Sequence, residues 1–143
     1  MRACLTSILA AVISTRRLDQ SPPTPANAAF AAEMMAHTTA ESARDSGALQ
    51  ESEKLIEELD AADILIISTP MHNFTVPSML KAWIDQVIRF GRTFQSTPTG
   101  KIGLLRNKPV FIVIASGGLF TGKNPTQPDF LTPYLRAILA TIS

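Results

Sequence analysis

"ILIISTPMHNFTVPSMLKAWIDQVIRF", residues 64–90, decides how this chain folds. With Asp63 ahead of it, "DILIIST" (63–69) is a continuous β-branched apolar run, the pattern of a parallel strand covered on both faces. A short loop, "PMHNF" (70–74), leads into a helical pattern over 76–90. Pro77 suits the first turn of that helix, where its missing N–H is not needed. Leu80, Trp83, Ile84, Val87 and Ile88 recur at helical spacing and predict a well-buried stripe. "PVFIVIAS" (109–116) repeats the buried-strand pattern.

Working outward, "DQSPPTPAN" (19–27) is a loop, because prolines 22, 23 and 25 remove donors and hold the backbone extended. A helix is predicted over 26–36, and "HTTAESARDSG" (37–47) is polar and exposed. Leu49, Ile56 and Leu59, with Glu and Lys between them, fit a half-exposed helix over 48–59. Residues 91–108 form a polar excursion with the character of a small hairpin, and a last helix is predicted over 131–142. For residues 3–13, helix and strand stay open, since periodicity does not arbitrate over so short a run. Helix–strand–helix–strand–helix with apolar strands predicts an α/β fold with a parallel sheet, as one domain spanning 1–143. Two secure strands are few for such a sheet, and "ILATIS" ends the chain still apolar, so the domain reads as incomplete.

Bulk properties narrow the function classes. Hydrophobic content of 45%, charged content of 17% and a net charge of +1 fit a globular protein and carry no sign of a nucleic-acid partner. A single cysteine, Cys4, rules out an internal disulfide and is compatible with a reducing cytoplasm. "MRACLTSILAAVIST" imitates a signal peptide but lacks a small-x-small cleavage site. No apolar run approaches the roughly 20 residues of a membrane span. His37 and His72 are far apart and have no Cys or carboxylate at ligand spacing, so no metal site is predicted.

In open α/β sheets, ligands sit beyond the carboxyl ends of the strands. Two unusual loops reach that edge: Pro70, Met71, His72, Asn73 and Phe74 after the first strand, and Ser116, Gly117 and Gly118 after the second. One offers side chains and the other bare backbone, a combination that suits a planar ligand with carbonyls and ring nitrogens. "GGLFTGKN" (117–124) competes as a phosphate-cradling loop, although Asn124 stands where Ser or Thr is required and Pro125 and Pro128 forbid an immediate helix. Simpler readings stand beside these. His72 could fill a tight loop, Asn73 could cap the following helix, and Met71 and Phe74 could be core. Trp83 reads most simply as a core anchor, and Arg89 and Arg92 as solvated helix ends. No nucleophile–base arrangement is legible.

"RRLDQSPPTPANAAFAAEMM", "ESEKLIEELDAADILIISTPMHNFTVPSMLKAWIDQVIRFGRTF", "GLLRNKPVFIVIASGG" and "DFLTPYLRAIL" follow one another as in the FMN-dependent NADH-azoreductases, which this chain resembles. These are NAD(P)H quinone oxidoreductases with a flavodoxin-like, three-layer α/β/α fold. The resemblance implies an FMN flavoprotein that takes electrons from NADH or NADPH and reduces quinones or azo compounds, cytoplasmic and homodimeric, with no catalytic acid or base. Carried over by position, FMN contacts fall on Pro70, Met71, His72, Asn73, Phe74, Ala115, Ser116, Gly117 and Gly118. His72 stands where the family often has tyrosine. Phe94 and Phe120 become candidates to line the substrate space, and the helix over 76–90, with Trp83 and Asp85, would lie near a partner subunit. The family begins with a strand and a Ser-rich turn that holds the FMN phosphate at a helix N-terminus. The better alignment makes residues 3–13 the first helix, so the first and last strands and the phosphate turn are missing. In the alternative, "ILAAVIS" is the first strand and Ser14, Arg16 and Ser21 imitate that turn. The competing functional reading is a non-catalytic dimerising domain, or a truncated remnant, without bound FMN.

Overall fold

A computed structural model describes residues 11–36, 43 and 47–143. Among them, in chain order, are α1 (Ala28–Met35), α2 (Gln50–Ala61), β1 (Leu65–Pro70), α3 (Ser78–Val87), β2 (Phe94–Thr97), β3 (Gly100–Gly103), β4 (Val110–Ala115) and α4 (Leu131–Ile142). The open reading of 3–13 and the polar stretch 37–47 lie largely outside the described residues. No helix of the described residues is long and apolar enough to cross a membrane.

β1 and β4 pair in parallel, in register from Leu65↔Val110 to Pro70↔Ala115. α3 lies between them in sequence, as a parallel crossover requires. The predicted hairpin is present: β2 and β3 pair antiparallel, and Gly100, at φ +136°, takes the turn conformation that side chains resist.

The main core joins α2, α3 and α4 to one face of the β1–β4 pair, while Phe30 of α1 is buried in a smaller cluster with Ala43 and Leu49. Leu55, Ile56 and Leu59 of α2, Ile67 of β1, Leu80, Trp83, Ile84 and Val87 of α3, and Leu131, Leu135 and Ile142 of α4 are all buried in the main core. Each such side chain contributes about 1.5–3 kcal/mol by leaving water. The opposite face is bare: Ile64, Ile66, Phe111 and Val113 are 54–67% exposed. The expectation of strands covered on both faces is therefore not met at these four side chains among the described residues. An apolar run records what a strand could bury, and says nothing of whether a neighbour is present to bury it.

α3 is shorter than its hydrophobic pattern. Pro77, extended at ψ 153°, is the N-cap rather than a first-turn residue. The helix ends at Val87 because Thr93 intervenes: its hydroxyl accepts the Arg89 N–H at 2.9 Å and donates to the Val87 carbonyl at 2.8 Å. Arg89 is thereby turned inward. It is 3% exposed, and its Nη1 donates to Glu53 Oε2 at 3.0 Å and to Ser52 Oγ at 3.2 Å. Arg92 Nε donates to the other carboxylate oxygen at 2.6 Å. The reading of these arginines as solvated helix ends is corrected for Arg89, which is buried, and for Arg92, which is largely covered. Burial pulls the Arg89 guanidinium below its ordinary pKa, opposed by the charge of Glu53.

Candidate flavin-ring edge

The parallel pairing places both predicted loops side by side. Past Pro70 the ladder gains one more bond, from Met71 N to Ala115 O at 2.8 Å. The Ser116 hydroxyl lies 3.9 Å from Met71 Sδ. Pro70, Met71, His72, Asn73 and Phe74 thus share one sheet edge with Ala115, Ser116, Gly117 and Gly118.

The first loop is a tight turn. His72 and Thr75 exchange both backbone hydrogen bonds at 2.9 Å, and Asn73 (φ 47°) and Phe74 (φ 67°) occupy the left-handed region between them. Two successive positive φ angles define a type I′ turn, usually filled by Asn and Gly. Phenylalanine in that conformation is strained, at a cost of about 1–3 kcal/mol. The turn holds because Phe74 O accepts the Phe130 N–H at 3.0 Å, at the start of α4. Asp129 caps that same helix start, its Oδ1 accepting from Leu131 N at 3.0 Å and Thr132 N at 2.8 Å. Asn73 is not a helix cap, since α3 starts at Ser78 with Pro77 as its N-cap; His72, Asn73 and Phe74 are exposed, so Phe74 is not core, whereas Met71 packs against the core as a partly buried neighbour.

In the second loop, Ser116 Oγ donates to Gly118 O at 3.0 Å and accepts from Gly118 N at 3.4 Å. A Cβ at Gly117 would meet open space. Among the described residues, neither the Gly117 N–H nor the Asn73 side-chain amide takes a hydrogen-bond partner, so both stay available on this edge. Gln127, unremarked in the sequence, reaches both loops: its Nε2 stands 2.6 Å from Ser116 Oγ and 3.2 Å from Met71 Sδ. The segment between, with Gly122 at φ +87° and no helix before Leu131, is irregular. It lacks the helix N-terminus that the competing phosphate-loop reading needs.

The two substrate-space candidates separate. Phe120 is half-buried on the second loop. Phe94 pairs in register with Gly103, whose Cβ would collide with the backbone of Ile142 and Ser143. It therefore sits by the far end of α4, about 18 Å of helix away from Phe130. There its ring meets Phe90 edge-on at 6.0 Å, with Lys101 Nζ 4.8 Å from its centroid. Trp83 is a core anchor, as read, and Asp85 pairs with Lys81. Of the alternative phosphate turn, Arg16 is committed to Glu58, and with Ser21 it lines a cleft of about 540 Å³ walled also by Glu51, Glu53, Lys54 and Glu57, a mixed rather than a basic wall.

Comparison with known proteins bears on the fold. A family model described as "Flavodoxin-like fold" matches residues 3–143. This chain belongs to that family. Among curated relatives of this flavodoxin-like chain, FMN-dependent NADH:quinone oxidoreductase 5 of Burkholderia lata is 58% identical over 95 residues, covering 66% of the chain and 47% of the relative. FMN-dependent NADH:quinone oxidoreductase 2 of Pseudomonas putida is 42% identical over 130 residues, covering 91% and 64%. The chain spans about half the length of the first of these relatives. Among solved structures, an azoreductase from Bacillus anthracis superposes with a TM-score of 0.79 at 21% identity, over 99% of this chain and 71% of that one. An FMN-dependent NADH-azoreductase from Bacillus anthracis in complex with FMN gives 0.73 at 22%, over the same shares. At such identities these two speak for the fold.

Proposed function

We propose that this flavodoxin-like chain carries the ring-binding edge of an FMN-dependent NAD(P)H:quinone oxidoreductase with azoreductase activity. The observation that carries the reading is the Met71–Ala115 hydrogen bond, which sets the strained turn and the Ser-Gly-Gly loop on one rim. The names of the curated relatives, each an FMN-dependent NADH:quinone oxidoreductase, support it. FMN, when bound, supplies the redox chemistry, accepting hydride from NADH or NADPH and passing two electrons to a quinone or azo compound.

The chain's own residues bind and orient. Asn73 offers donor and acceptor to the polar rim of the ring, and the Gly117 N–H lies where no side chain blocks close approach. Pro70, Met71, His72, Phe74, Ala115, Ser116 and Gly118 form the walls, and Phe120 borders the space above. No side chain of this edge has to act as acid or base. Phe94 could reach such a site only from a second copy, which accords with a homodimer whose pockets are shared. A cytoplasmic setting fits the single cysteine.

Titration of the purified chain with FMN, followed by quenching of flavin fluorescence, tests the reading. FMN up to about 100 µM captures any site of micromolar affinity. Saturable quenching, weakened by Asn73→Ala, is the expected result, together with FMN-dependent oxidation of NADH by a quinone. No quenching would favour the second reading, a non-catalytic dimerising domain or remnant, for which the bare face around Ile66 and Phe111 speaks.

A further inference from the structure

We infer that Gln127 is a positioning residue of this edge: its amide latches the Ser-Gly-Gly loop to the methionine loop and so sets the gap that receives a flat ring. The inference rests on the flavin reading above. Ser116 and Met71 belong to loops after different strands, and Gln127 Nε2 touches both, at 2.6 Å and 3.2 Å. Gln127 is itself held from behind. Leu119 O accepts the backbone N–H of Thr126 at 2.7 Å and of Gln127 at 3.2 Å, closing the intervening loop on itself.

The latch explains two neighbours. The single proton of Ser116 goes to Gly118 O, while its oxygen accepts from Gln127 and from Gly118 N. The serine hydroxyl is thus spent on shaping the loop, while the Gly117 N–H takes no partner among the described residues. Gly118 is pressed against the same amide: a Cβ there would stand 2.6 Å from Gln127 Oε1 and 3.0 Å from its Cδ. Glutamate at 127 keeps the shape but has no N–H to give, and alanine removes the reach.

Two measurements on the full chain decide it. In amide hydrogen exchange without flavin, Gln127→Ala and Gln127→Glu are expected to speed exchange about tenfold at the hydrogen-bonded amides of both loops, Met71, His72 and Thr75 in 70–75 and Gly118 and Leu119 in 116–120, while leaving Ile67 and Ile112 unchanged; a tenfold change corresponds to about 1.4 kcal/mol. In FMN titration, each variant is expected to bind about tenfold more weakly, and the penalty is expected to vanish in a Ser116→Ala background, because the amide acts through that hydroxyl. Gly118→Ala should reproduce the loosening. Unchanged exchange at 70–75 in both Gln127 variants overturns the latch, and parental FMN affinity in both overturns the positioning role. If the parent chain binds no FMN, the flavin reading fails, the ring-positioning role falls with it, and exchange alone judges the latch.

Discussion

The carboxylate of Glu53 and the guanidinium of Arg89 meet at 3.0 Å with 1% and 3% of their side chains exposed. They tie α2 to the segment that follows α3, 36 residues away. Replacing Glu53 by Ala would leave a buried guanidinium without a counter-charge, and is expected to cost about 3–5 kcal/mol in urea unfolding. Replacing both residues by Met together should cost clearly less than the two single changes summed. Additive penalties would show that the pair does not act as a unit.

The strained turn gives an opposite sign. Phe74 is 44% exposed, so little burial is lost in Phe74→Gly, and the left-handed backbone is relieved. Thermal unfolding should show stabilisation of about 0.5–1 kcal/mol, with FMN binding weakened by loss of the ring wall. A destabilised Phe74→Gly chain would mean that the turn is not held against strain.

The two faces of β1 should respond differently. Ile67 is 8% exposed and Ile66, its neighbour, 67%. Ile67→Ala is expected to cost about 2–4 kcal/mol, and Ile66→Thr less than about 1 kcal/mol, in the same denaturant assay. Equal losses would show that the outer face is covered in solution.

Tyr134 is the chain's one tyrosine. Burial raises its phenol above the usual value of 10.0, with Asp85 adding to the shift and Lys81 opposing it. Between 10 and that higher value the unfolded chain has lost the proton and the folded chain keeps it, so stability falls as pH rises through this window. Absorbance near 295 nm should give a folded-state midpoint above that of the urea-unfolded chain. A midpoint at or below it contradicts the burial argument.

Much of the fold was legible because its signals are local. The runs around Ile67 and Ile112 marked the strands, and the spacing from Leu80 to Val87 marked α3. The paired loops were found by one geometric rule, that ligands of open α/β sheets sit beyond the carboxyl ends of the strands. What escaped depends on partners distant in the chain. Arg89 looks like any helix-end arginine until Glu53 is seen 36 residues away. Thr93 shortens α3 by a hydroxyl that no periodicity reports. Asp129 could have been found, since an aspartate two residues before a helical run is a capping signal. Gln127 had no signal: a glutamine between two prolines predicts only a loop. The bare sheet face was illegible because exposed and buried apolar runs are written alike.

The register between Leu65 and Val110 has a bearing on assays as well as on architecture. Met71 and Ser116 stand 45 positions apart along the backbone, so neither rim exists until the intervening crossover has closed and its entropy has been offset. Molecules that have not completed that closure offer no receptor at all. Stoichiometry in a binding titration would therefore count the natively assembled fraction of a preparation, and an excess of guest would pull partly folded chains toward completion by mass action.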